Sequence, residues 1–309
     1  MRKLGMVLAG LGGFLVMLAI LAKFYAPGQL MKTPIDVDSV TRAAGQAALG
    51  ADPAEPVKGT QLTRADSAKS TDDVVSFVSS SCLVFDREDV PDCVSADDPD
   101  DRLITASVEY FATDRVTAMA VNDPKYLPPE AEEVEGLQNK WPFDVEKKAY
   151  PYWDATAGGA FDAEYEATEE IDGVEVYRFH QIVTDAPIEV TDGVQGTYST
   201  DKTIWVEPVT GSIVNQSYHQ VRETDEGDNF ITLDLAFTPE EVQESIDDAK
   251  ASRDQINLVR NTVPLIGLIV GIPALVAGLF LTARGSSGGK RKETSSASAD
   301  SSSGVTAGT

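Results

Sequence analysis

The chain has 309 residues, 42% of them hydrophobic, and its 25 basic and 50 acidic side chains give a formal net charge of −25. That apolar content can build a packed core, which excludes disorder of the chain as a whole. Seven basic residues but only two acids lie outside residues 24–283, and so acidic an interior excludes a nucleic-acid binder, which needs clustered Lys and Arg.

Arg2 and Lys3 open the chain, and Leu4–Ala22 follows without a charged side chain. At about 1.5 Å per residue such a run matches the roughly 30 Å hydrocarbon layer of a bilayer. A cleaved signal peptide has the same charged start, but the run is long and its small-residue site at Ala19 and Ala22 is weak. An uncleaved transmembrane helix over residues 4–25 is therefore predicted. Ala26-Pro27-Gly28 breaks this helix, and Ala-rich Val40–Leu49 is predicted as a short helix.

Strands are predicted from Val57 onward. Val74–Val78 and Cys82–Phe85 are apolar and β-rich, Arg102–Thr113 alternates, and Val116–Val121 is a further candidate. Cys82 and Cys93 are the only cysteines. A disulfide across this short loop, and hence an oxidising compartment, is favoured over two free thiols or half of a metal site. The acidic run Asp97-Asp98-Pro99-Asp100-Asp101 lacks the ligand spacing of a calcium loop and reads as solvated.

Lys140–Trp153 holds five aromatics, Trp141, Phe143, Tyr150, Tyr152 and Trp153, with two prolines that exclude a regular helix. These five are the candidate ligand-binding residues, as a platform for a sugar, lipid or peptide. The competing and favoured role is a latch that plugs the edge of a β core. Further strands are predicted at Ala163–Ile171, Val174–Thr184, Lys202–Glu207, Ser212–Glu223 and Asn229–Phe237, joined by turns at Asp172-Gly173, Pro208–Gly211 and Glu226–Asn229. Strands that follow one another without helices favour antiparallel pairing. Thr238-Pro239-Glu240-Glu241 marks a helix start with a capping box, for a helix over 239–259.

Val263–Ala283 is the second apolar run, with Pro273 expected to kink it. Small residues recur at fourfold spacing at Ala9 and Gly13, Gly267 and Gly271, and Ala274 and Gly278. This is either a close-packing surface, including for a helix-mediated oligomer, or ordinary membrane composition. Neither run carries a charge, so neither reads as an ion pathway. The Gly-, Ser- and Ala-rich tail 284–309 reads as disordered, with Lys290, Arg291 and Lys292 able to touch anionic headgroups. Basic residues flanking both outer ends place both termini in the cytoplasm by the positive-inside rule.

For catalysis there is little: His180 and His219 are the only histidines, and no hydrolase, metalloprotease, P-loop or dinucleotide motif occurs. No enzyme activity, cofactor or metal is predicted.

The two terminal runs, the Lys140–Asp154 stretch, Val176-Tyr177-Arg178-Phe179, and Trp205-Val206-Glu207-Pro208 with Thr210-Gly211 together resemble the porin PorA family of actinobacterial envelope proteins, over residues 1–284. The resemblance implies an envelope location and a channel-forming label. The label sits poorly with strands that carry acids on both parities, because a transmembrane barrel needs an apolar lipid-facing band.

The expected architecture is α+β. Residues 1–3 are a cytoplasmic N-terminus, and 26–259 form an extracytoplasmic, mainly antiparallel β domain with flanking helices and sub-blocks 57–121 and 161–237. Transmembrane helices at 4–25 and 263–283 bracket it. The expected role is binding of an envelope lipid, glycolipid or protein partner, with channel formation as the alternative.

Overall fold

The computed structural model describes residues 2–286, so the tail residues Lys290, Arg291 and Lys292 lie outside the described residues. The chain divides into two units, one made of the residues up to Pro27 and from Leu258 on, the other of Gly28–Asn257.

In the first unit α1 (Arg2–Phe24) and α4 (Val263–Ser286) pack antiparallel. A Cβ added at Gly5 would meet Thr282 N at 2.9 Å, and one at Gly267 would meet the Ala19 Cβ at 2.9 Å. In between, a Cβ at Gly12 would lie 2.3 Å from Leu275 N, and one at Gly278 would lie 2.3 Å from Ala9 N. The small residues are therefore what lets the two backbones touch, and much of the fourfold spacing is used inside the chain. Side chains such as Val7, Phe14, Ile269 and Val276 point outward and are exposed. α4 runs through Pro273 without ending, and a π-helical turn, Leu258–Thr262, precedes it.

The second unit is a half-barrel: one ten-stranded antiparallel sheet in the order β4-β3-β2-β1-β10-β9-β8-β7-β6-β5. Its first four strands are β1 (Asp38–Leu49), β2 (Glu55–Ala65), β3 (Val74–Phe85) and β4 (Leu103–Asp114). The other six are β5 (Tyr150–Asp154), β6 (Gly159–Ile171), β7 (Val174–Thr191), β8 (Val194–Val206), β9 (Ile213–Thr224) and β10 (Asn229–Phe237). A four-residue helical turn, α2 (Pro27–Leu30), lies near the start, and α3 (Pro239–Asn257) follows β10. Val174, Val176 and Val214 of the sheet bury Ile246 and Ala249 of α3, with Val242 beside them.

Three local expectations change. Val40–Leu49 is not a helix but most of β1, paired with β2 on one side and β10 on the other. Two full ladders override the helix preference of alanine, and Gly45 permits the contact, since a Cβ there would lie 1.8 Å from Asp234 O. Val116–Val121 forms only isolated bridges. Asp114 Oδ1 accepts hydrogen bonds from the backbone N–H of Val116 and Thr117, at 2.9 and 2.7 Å, and turns the chain before a strand can start. The capping box is half formed: Thr238 Oγ1 accepts from Glu241 N at 3.1 Å, whereas the Glu241 carboxylate accepts from Arg42 N of β1 at 3.0 Å. Glu241 thus fastens the helix start to the sheet.

The 35 residues between β4 and β5 join the two open edges of the sheet. Thr113 of β4 bridges Ala120, Met119 bridges Leu137, and Leu137 bridges Tyr152 of β5. Gly136 makes the last approach possible: its φ is +68°, and a Cβ would lie 2.3 Å from Pro151 O. The Pro208–Gly211 turn holds the connection further along. Trp141 N donates to Gly211 O at 2.8 Å and Val145 N to Pro208 O at 2.7 Å.

Candidate functional site

The concave side of the half-barrel forms an open cavity of about 870 Å³. The alternation of β2, β3 and β4 turns polar side chains into it, in register. Thr63 pairs with Ser79 and Ser79 with Glu109; Gln61 pairs with Ser81 and Ser81 with Ser107. Hydrogen bonds tie this wall together, from Gln61 Nε2 to Ser79 Oγ at 2.9 Å and between the Ser81 and Ser107 hydroxyls at 2.8 Å. One step along, Phe77 and Phe111 stack with centroids 5.1 Å apart.

The opposite wall comes from β5, β8 and β9, with Tyr152, Trp153, Tyr198, Lys202, Tyr218 and Gln220. Asp154 is buried there, accepting from Lys202 Nζ at 2.9 Å and Tyr198 Oη at 3.1 Å. Burial alone would push its carboxyl up, but the Lys202 charge and the hydrogen bonds from Ala157, Lys202 and Tyr198 outweigh it and hold the group below 3.8. Burial raises the Tyr198 phenol, and raises that of Tyr218 to about 12. Glu109 is also raised, first by burial and then by the Glu132 carboxylate.

The roof of the cavity includes Gln138, Asn139 and Lys140 from the edge-joining connection. Lys140 Nζ sits 3.7 Å from the centroid of the Phe143 ring, and burial lowers its ammonium from 10.5 to about 7. Gln138 Nε2 and Asn139 Oδ1 are buried with no hydrogen-bond partner among the described residues.

The five aromatic candidates separate. Trp141 is fully buried and stacks on Tyr152 at 5.0 Å and against Phe179 at 5.2 Å. Tyr150 is buried edge-on to Phe179, and its hydroxyl accepts from Glu146 N at 2.9 Å. Phe143 is half-buried beneath Lys140, and only Tyr152 and Trp153 reach the cavity wall. The serines, the glutamines and the two lysines were missed as site residues. The only signal for the serines was polar residues at every second position, Gln61 and Thr63, Ser79 and Ser81, Ser107 and Glu109.

Cys82 and Cys93 form a disulfide that closes a loop over Val84 and Val90. Asp98 is no free solvated acid: Arg102 grips it with two guanidinium bonds of 2.6 and 2.9 Å, holding its carboxyl at about 2. His180 and His219 lie on β7 and β9, with β8 between them, and each bonds its own carboxylate, Asp201 and Asp234 respectively, at 2.7 Å.

Fold and site together define a half-barrel domain with a polar cavity, in a chain that also carries a close-packed pair of apolar helices. The family model for Porin PorA matches residues 4–280, and the chain belongs to that family. A Porin PorA of Corynebacterium amycolatum is 27% identical over 150 residues, covering 44% of this chain and 38% of that one. A Porin PorA of Corynebacterium resistens is 32% identical over 102 residues, covering 28% and 24%. The alignments thus span well under half the length of these relatives. Among solved structures, a DUF1329 family protein from Desulfovibrio piger is similar at 13% identity over 72% of this chain and 90% of that one, with a TM-score of 0.20. Family and apolar helices together make this a membrane protein of the cell envelope.

Proposed function

We propose that α1 and α4 anchor the chain as a double-pass membrane protein, with both termini cytoplasmic and residues 26–259 extracytoplasmic. The β domain, on this reading, is a non-enzymatic binding module for an envelope component, held in the concave cavity. The observation that carries the reading is the cavity itself, about 870 Å³ with hydroxyl, amide, aromatic and charged groups on its walls. Aromatic faces beside convergent donors and acceptors suit a sugar or peptide surface rather than a bare acyl chain. The glycan part of a glycolipid fits this chemistry, so the aliphatic lipid among the expected ligands is set aside. Antiparallel packing of α1 on α4 supports the same-side termini, and the disulfide supports an oxidising compartment for the domain.

The test is to purify the full chain from envelopes in detergent and identify co-purifying molecules by mass spectrometry. Ser79→Phe and Ser107→Phe, which fill the cavity, should strip the bound molecule while tryptophan fluorescence stays native. Equal retention by the filled variants would sink the reading. The family label favours a second reading, a channel, and discrete conductance steps from the purified chain in planar bilayers would establish it instead.

A further inference from the structure

Resting on the cavity as a binding site, we propose that its ligand carries an acidic group, a carboxylate or phosphate, received by Lys140 with the Gln138 amide beside it.

Three observations converge on this. First, Lys140 lines the cavity yet has no carboxylate partner among the described residues, in a chain with 50 acidic side chains. Its neighbour in the same cavity, Lys202, is neutralised by Asp154 at 2.9 Å, so the two lysines do different things. Second, among the described residues the Lys140 ammonium rests on the Phe143 ring face, 3.7 Å from its centroid, with no side-chain hydrogen bond. A ring face steadies a cation but accepts no conventional hydrogen bond, so the three N–H donors stay open to the cavity.

Third, the amide Nε2 of Gln138 is buried without a partner two residues away. A buried donor left unmet costs about 1–3 kcal/mol, and an anion bound at Lys140 would meet it once the Gln138 amide turns toward the cavity. The backbone is fixed for the task. Leu137 N donates to Pro151 O at 2.8 Å, Trp153 N to Leu137 O at 2.9 Å, and Trp141 N to Gly211 O at 2.8 Å. The segment that presents Lys140 is thereby pinned on both sides, which lowers the ordering penalty of binding. Burial depresses the ammonium, and an anion beside it would restore the charged form.

The full chain in a sugar-free zwitterionic detergent is titrated with D-glucuronate, inorganic phosphate and D-glucose, following tryptophan fluorescence. In parallel, lysine acetylation is mapped by mass spectrometry. Glucuronate, phosphate or both should slow acetylation of Lys140 at least fivefold, and glucose should not. Protection by phosphate alone assigns a phosphorylated ligand, and protection by glucuronate alone a sugar acid. Lys140→Met should weaken the protective anion at least tenfold, whereas Lys147→Met should leave it unchanged. Equal binding of glucose and glucuronate, or unaltered affinity in Lys140→Met, would overturn the acidic-ligand inference and leave the cavity reading standing. Failure of both anions to bind overturns it too, and retention of the co-purified molecule by the cavity-filled variants then decides the broader reading separately.

Discussion

Replacing Lys140 with Met should stabilise the protein, by an amount that depends on pH. The ammonium is lowered from 10.5 to about 7 by burial. Between those values the unfolded chain binds a proton that the folded chain does not, so wild-type stability rises with pH across that window. Below pH 7 the whole penalty is present. Taken at face value, the shift makes the penalty about 3 kcal/mol larger at pH 6 than at pH 9.5. Relaxation and water reaching a half-buried side chain reduce this to roughly 1–2 kcal/mol. The lost ring contact with Phe143 works the other way by about 0.5–1 kcal/mol. Lys140→Met should therefore gain stability over wild type at pH 6, with a gap that narrows by roughly 1–2 kcal/mol by pH 9.5. Guanidinium unfolding in detergent, followed by tryptophan fluorescence, measures it, because Trp141, Trp153 and Trp205 all lie in the β domain. A gap that stays constant with pH would refute the claim that Lys140 is a desolvated, uncompensated cation.

Other perturbations test other parts. Gly211→Ala should destabilise the domain by at least about 2 kcal/mol, since φ is +74° and the new Cβ would lie 2.2 Å from Trp141 O; a shift in unfolding midpoint reports it. Asp154→Asn should lose roughly 3 kcal/mol by stranding Lys202. Because the folded carboxyl is held below 3.8, the wild-type advantage should be full near pH 6 and fade as pH falls through that lowered value; a difference from wild type that persisted at pH 2 would contradict it. Cys82→Ser with Cys93→Ser should lower stability by roughly 2–3 kcal/mol, measured by the same unfolding. Gly12→Leu should pry α1 from α4, where a Cβ already meets Leu275 N at 2.3 Å. Hydrogen exchange of both helices should rise by roughly tenfold or more, and unchanged exchange would show that the pair does not depend on small residues.

The sequence was most legible where one force acted alone. Both apolar helices follow from uncharged runs whose length a bilayer sets, and β6, β9 and β10 follow from β-rich segments between turn residues. Local pattern was a poor guide where tertiary contact decided. The Ala-rich β1 became a strand because two neighbours paired with it, and Gly45 gives no local hint of that. The aromatic-proline stretch hid β5, because Pro151 argues against a strand, yet β5 is a sheet edge, where a missing N–H is harmless. Pro187 hid the second half of β7 in the same way. Beyond Gln181 that strand pairs only with β8, and Asp192-Gly193 makes the turn that closes this hairpin. The cavity was illegible for a different reason. Ser79, Ser81 and Ser107 look like any polar alternation until the sheet curls and both edges are joined, which turns an ordinary solvent face inward.

The same curvature bears on how such a chain could conduct, given its family. β6 carries Asp162, Glu164, Glu166 and Glu170, all exposed, and a register shift between Tyr165 and Ala167 puts Glu170 on the face opposite Asp162 and Glu164. In a lipid-facing strand each of these carboxylates would oppose insertion, and four on one strand leave no apolar band. Contact with hydrocarbon is then confined to α1 and α4, whose outward side chains are apolar and whose small residues are engaged with each other. A polar path across the membrane cannot be lined by such a pair. Conductance through the helices would require several such pairs around a lumen lined by apolar residues, a hydrophobic pore gated by dewetting.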